Sequence, residues 1–277
     1  MSVTVEVPVR RGYVDVAHGQ VHVRVAGAGR TERPPVVCLH MSPASGVVYE
    51  RFASVAGADR TVVAPDTPGF GASDPLPPYP SIGAYADVVA EVVDAMGLPT
   101  PVDLLGYHTG SFTAVELAGR RPDLVRRVVA VSMPVFTADE LERFRRLYSR
   151  EPIFTEDGER LRDRWRWFVA FFGVGRDNTL EQAARIFYAR LSGGERHWWG
   201  HHAAFDYDVV PVLERLSVPV LVLNLADDLT EQTRRAAPHL RSGRVEERPE
   251  WTHGFLDNDT VAAAELISGF LDGDEAP

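Results

Sequence analysis

Lysine is absent from these 277 residues, and cysteine nearly so. All 29 basic side chains are arginines, set against 39 acidic ones, for a net charge of −10. A surplus of that sign argues against nucleic acid or an anionic membrane surface as a partner. The lone Cys38 excludes an internal disulfide and suits a reducing compartment, so a cytoplasmic protein is expected. It lies in Val36-Val37-Cys38-Leu39, an apolar run where a thiol is a small buried hydrophobe. No stretch approaches the ~20 apolar residues of a spanning helix, and the N-terminal MSVTVEVPVRRGY has no apolar signal core. Repeats and low-complexity tracts are also missing, apart from a short acidic tail over 272–275.

What is present is an alternation of strand and helix. Residues 13–17 and 20–26 alternate apolar and polar around His18-Gly19, a hairpin on which His18 and His22 are expected to be exposed. Apolar runs at 35–39, 61–64, 102–105 and 125–131 have the continuity of buried parallel strands. Helical patterns over 47–55, 81–96 and 111–120 separate them. From 137 to 216 the alternation stops, and arginine- and aromatic-rich helices take over. A strand at 218–224, a helix at 231–240, a strand at 244–248 and a helix at 260–271 complete the chain. The expectation is an α/β fold: a mostly parallel sheet with helices on both faces, formed by 1–134 and 217–277, with 135–216 as a helical cap domain.

Four motifs carry the chemistry. Gly106-Tyr107-His108-Thr109-Gly110 joins a strand to a helix, with small residues two before and two after its centre. Such a turn holds the central residue at positive φ with its side chain exposed, a conformation histidine tolerates better than most. The other three are His40-Met41-Ser42-Pro43, the stretch from Asp66 through Gly69 and Gly71 to Asp74, and Asp227-Asp228 followed later by His253.

Together these resemble the α/β-hydrolase superfamily, with its nucleophile elbow Gly-x-Ser-x-Gly and the order elbow, acid, histidine. The resemblance spans nearly the whole chain. It implies that His253 is a general base and Asp228 its orienter; counting from the strand favours Asp228, leaving Asp227 to cap the helix that follows. It also implies that the N–H groups of Ser42 and Thr109 form an oxyanion hole, in a turn where Met41 stands for the usual glycine. His40 becomes a structural histidine beneath that turn. The departure is His108 at the nucleophile position, giving a His-Asp-His constellation in place of Ser-Asp-His.

His108 can attack an acyl carbon, help activate water, or act as acid and base without water. Its reactive nitrogen reaches roughly 2 Å further than a serine oxygen, which ranks direct attack below water activation. Ser111 lies inside the helix and is no substitute nucleophile. The run His197, His201, His202, Asp206 and Asp208 is not read as a metal site, because Trp198 stands where a zinc-protease helix needs Glu and Gly200 weakens the helix. Neither metal nor cofactor is implied. The expected function is hydrolysis of an ester, lactone or C–C bond in a small apolar carbonyl compound. The alternatives are a lyase, isomerase or cyclase, and a non-catalytic small-molecule-binding protein. The partner is a small-molecule substrate, and a homodimer is left open.

Overall fold

A computed structural model describes residues 5–29 and 33–273; the first four residues of the N-terminal stretch, and Asp274 and Glu275 of the acidic tail, lie outside them. The chain opens with β1 (Arg10–Val16), β2 (Gly19–Ala26) and β3 (Val36–Leu39), then α1 (Glu50–Ala56), β4 (Val62–Pro65) and α2 (Ile82–Ala95). Next come β5 (Val102–Tyr107), α3 (Thr109–Arg120) and β6 (Val125–Val131). Five helices follow without a strand: α4 (Ala138–Leu147), α5 (Glu159–Phe171), α6 (Leu180–Leu191), α7 (Trp199–Phe205) and α8 (Val210–Arg215). The chain then runs through β7 (Val220–Leu225), α9 (Thr230–Arg234), β8 (Gly243–Arg248), α10 (Phe255–Asn258) and α11 (Thr260–Asp272).

The eight strands form one sheet in the order β1-β2-β4-β3-β5-β6-β7-β8. β1 pairs antiparallel with β2 and β2 with β4, whereas every pairing from β4 to β8 is parallel. Strands β3, β4, β5 and β7 are buried along their whole length, which is why they read as largely apolar runs; the polar exceptions, Asp103 and Asn224, are bonded to Arg126 and Glu247. One face packs on α1 and α11 through Phe52, Ala53, Ile267 and Phe270. The other packs on α2, α3 and α8 through Tyr85, Val115 and Leu213. Cys38 is fully buried, as its apolar neighbours require.

Local chemistry sets the ends of the elements. Ser81 caps α2 by accepting from the Ala84 N–H, and Thr137 with Glu140 forms a capping box on α4. Two expectations need correction. The helix predicted over 231–240 stops at Arg234, since Pro238 has no N–H to continue it; a single 3₁₀ turn, Ala237–His239, takes its place. His22 is not exposed: its Nδ1 lies 2.9 Å from Asp66 Oδ2, and Asp66 also accepts from Gly46 N, Ala72 N and Arg24. That carboxylate gathers the glycine-rich loop, and Gly71, at φ +58°, has no room for a Cβ against it. Burial opposes ionisation of Asp66, but His22 and the amide and arginine donors around it hold its carboxyl below the usual range.

Candidate active site

The turn between β5 and α3 places His108. Its backbone sits at φ 48°, ψ −113°. A Cβ on Gly110 would come within 1.9 Å of the Leu39 carbonyl oxygen, and one on Gly106 within 2.4 Å of that of Gly110. Both glycines are therefore steric requirements of the elbow. Ser111 is fully buried and donates its hydroxyl to the Val131 carbonyl at 3.0 Å, which removes it from any chemistry.

The ends of β5, β6 and β7 and the loop before α10 bring two imidazole–carboxylate pairs together. His108 Nε2 lies 3.2 Å from Asp227 Oδ2, and the Ser132 hydroxyl donates to the same oxygen at 2.6 Å. The other Asp227 oxygen accepts the Leu229 N–H at 2.8 Å, so the residue does cap the turn after β7. Its second role, orienting His108, is one that counting along the strand could not show. His253 Nε2 lies 3.1 Å from Asp228 Oδ1, while its Nδ1 accepts from the buried Tyr107 hydroxyl at 3.4 Å. The two imidazoles meet edge to face, with centroids 5.8 Å apart at 81°.

The carboxylates behind them are ionised. Burial would raise the Asp227 carboxyl, but the His108 hydrogen bond, the charges of the two histidines and the Ser132 hydroxyl bring it down to about 2. Asp228 is likewise held below its ordinary value, burial being outweighed by the His253 hydrogen bond. With a carboxylate as acceptor, each imidazole carries its proton on Nε2 and its lone pair on Nδ1. Among the described residues nothing bonds to His108 Nδ1, whereas His253 Nδ1 is occupied by Tyr107.

Above this floor lies a largely apolar cavity. Met41, Ser42 and Thr109 line it beside the histidines, with Phe168, Phe171 and Phe205 among its aromatic walls. Phe171 lies against His253, ring centroids 4.5 Å apart. Helix α7 presses on the Ser42 turn so closely that a Cβ on Gly200 would sit 1.9 Å from Ser42 Oγ. His40 lies beneath the turn: Nδ1–H donates to the Met41 carbonyl and Nε2 accepts the Thr67 N–H, both at 2.8 Å. Burial, the larger influence, keeps that ring neutral.

The histidine-rich run of the helical insertion does not assemble. His197 bonds to the Glu151 carbonyl, His202 to that of Tyr148, and His201 stacks on the Tyr148 ring. Among the described residues, the one group that can converge on a metal is His108, Asp227 and His253, with ligand atoms within 4.8 Å of one another. Both Asp227 oxygens already accept hydrogen bonds, so a metal there would have to displace Ser132 or His108.

A sequence model described as the alpha/beta hydrolase fold matches residues 34–152. Haloalkane dehalogenase 2 of Mycobacterium tuberculosis is 32% identical over 150 residues, 53% of this chain and 50% of that protein. A pimeloyl-acyl-carrier-protein methyl ester esterase of Chromobacterium violaceum is 35% identical over 108 residues, 39% of this chain and 40% of its own. The chain thus matches half or less of the length of these curated relatives. An esterase from Thermogutta terrifontis superposes with a TM-score of 0.75 at 20% identity, covering 95% of this chain and 98% of its own. The enol-lactonase of Burkholderia xenovorans gives 0.74 at 21% identity, covering 94% and 100%. Sheet order, elbow geometry and these likenesses show that the chain has the alpha/beta hydrolase fold.

Proposed function

We propose that the protein is a hydrolase of small, largely apolar carbonyl compounds (esters, lactones or C–C bonds) in which paired histidines activate water and no covalent intermediate forms. The observation that carries this is the pairing of each imidazole with its own carboxylate on the floor of one apolar cavity. Direct attack by His108 is disfavoured because its Nε2, the far-reaching nitrogen, is turned into Asp227, whose side chain is wholly buried.

Of the two rings, His108 has the open Nδ1 lone pair. The roles are therefore the reverse of those implied by the family resemblance. His108, oriented by Asp227, takes a proton from water, and the ionised carboxylate stabilises the imidazolium that results. The N–H groups of Thr109 and Ser42 hold the developing oxyanion. His253, backed by Asp228, relays that proton: it accepts it from the His108 imidazolium at Nδ1, as the Tyr107 hydroxyl turns away, and releases its Nε2 proton to the leaving group, so both rings end neutral. The helical insertion acts as a cap that excludes bulk water.

Hydrolysis of a panel of alkyl and p-nitrophenyl esters in H₂¹⁸O tests this. His108→Ala is expected to lose turnover of both ester types, by about 10²–10⁴-fold. His253→Ala is expected to lose chiefly the alkyl esters, because p-nitrophenolate leaves without a proton. The reverse pattern would return the base to His253. Turnover without ¹⁸O in the product would replace hydrolysis by lyase, isomerase or cyclase chemistry, and binding without turnover would make the chain a ligand-binding protein.

A further inference from the structure

We propose that the cavity selects substrates bearing a carboxylate, and that Arg190 of α6 is the residue that selects them. This rests on the cavity being the substrate site, as proposed above, but not on the reaction carried out there.

Several arginines of the helical insertion have acidic partners, such as Arg145 with Asp206 and Arg185 with Asp257. Arg190 has none. It lines the cavity beside His108 and His253, and among the described residues no oxygen accepts a hydrogen bond from it. Its one direct partner is the face of Phe168, 5.2 Å from the guanidinium carbon. A ring face satisfies the flat side of a guanidinium and leaves the in-plane N–H groups unused.

Arg190 is half-buried, with its side chain on the cavity wall. Burial pulls the Arg190 pKa down, and the attraction of Tyr148 and Asp228 does not restore it. Arg164 of α5 adds to the imbalance. It lines an adjoining hollow that shares Arg190, Tyr148 and His201 with the cavity, and no described carboxylate pairs with it either. In a chain with ten more acidic than basic residues, two neighbouring unpaired cations are an expensive arrangement to keep. A bound anion removes the cost.

The fork of a guanidinium matches the two oxygens of a carboxylate. Apart from the Ser42 and Thr109 N–H groups, assigned above to the oxyanion, the rest of the wall is largely apolar, and the Asp228 carboxylate on it repels an anion; His201 is held neutral, chiefly by burial. The ligand thus indicated has an apolar body, a carbonyl over the histidines and a carboxylate at Arg190, as in the half-ester of a dicarboxylic acid or an oxo acid.

The test uses binding, so its outcome does not depend on turnover. Calorimetric titration with 3-phenylpropionate and with its neutral isostere 3-phenylpropanamide compares a pair differing only in charge. Wild type is expected to prefer the carboxylate by roughly tenfold or more. Arg190→Gln is expected to erase that preference by weakening the carboxylate alone, and Arg190→Lys to retain part of it. His108→Ala should keep the preference whatever it does to hydrolysis, which separates failure of this inference from failure of the proposed reaction. Free Arg190→Gln is expected to melt no lower than wild type, since it loses an unpaired charge. Equal binding of both ligands by wild type, binding of neither, equal weakening of both in Arg190→Gln, or a lower melt of that variant would overturn the proposal.

Discussion

In the proposed mechanism Asp227 shows, at the scale of a single residue, how one carboxylate would serve both stability and chemistry. Its folded value of about 2 lies below the unfolded aspartate value of about 3.9. The sign follows: the stabilisation is complete above pH ~4 and is lost as pH falls through about 2, and it amounts to about 2 kcal/mol. Asp227→Asn is expected to unfold more easily than wild type in urea at pH 7, with the gap closing as the pH is lowered to 3 and below. A gap independent of pH would mean that the loss is one of packing. The same change is expected to cut turnover by about 10²–10⁴-fold, because the amide no longer fixes the proton on His108 Nε2. From the sequence, His108, Asp228 and His253 were legible as a constellation, since their order and spacing follow from strand ends. The partnership of Asp227 with His108 and Ser132 was not, because it is a lateral contact between the tips of neighbouring strands that no local pattern encodes.

Helix α7 poses a conflict between local propensity and tertiary contact. A glycine in a helix interior ordinarily costs about 1 kcal/mol relative to alanine and less in the first turn, where Gly200 sits, so Gly200→Ala would modestly stabilise a free helix. Here the added methyl would overlap Ser42 Oγ at 1.9 Å and Ser42 Cβ at 2.6 Å. Overpacking of that kind costs typically 1–3 kcal/mol and outweighs the gain. Gly200→Ala is therefore expected to melt lower than wild type, and the double variant Ser42→Gly, Gly200→Ala to recover most of the loss. A rise in melting temperature for the single variant would mean that α7 does not rest on the Ser42 turn. Gly200 was legible in the sequence only as a weak point in a helix; the reason for it lies some 160 residues away in the chain. The buried strands were legible for the opposite reason, since a strand covered on both faces is apolar except where a polar side chain finds a partner, as Asp103 does in Arg126. The hairpin histidine His22 was misplaced because alternation shows which face a residue is on, not whether a distant Asp66 covers it.

Across the whole molecule, burial is divided unevenly. Four strands of the sheet are buried from end to end, whereas α4 and α5 of the insertion bury one side chain each, Phe144 and Phe168. Other apolar groups of the insertion, Phe136, Tyr148 and Phe171 among them, line the cavity. A layer with few buried contacts opens at lower free energy than one with many, and a ligand between the layers adds to the contacts that hold it shut. The arrangement suits an enzyme that must admit a substrate to an enclosed floor without unfolding its sheet. Native-state hydrogen exchange gives the measurement. Amides of β5, β6 and β7 are expected to exchange only through global unfolding, with a denaturant dependence to match. Those of α4 and α5 are expected to exchange through a smaller opening with a shallower dependence, slowed when 3-phenylpropionate is bound. If the insertion amides exchange at the same free energy as β5, with the same dependence, the two layers open as one unit, and substrate must enter through a narrower motion than the parting of helices from sheet.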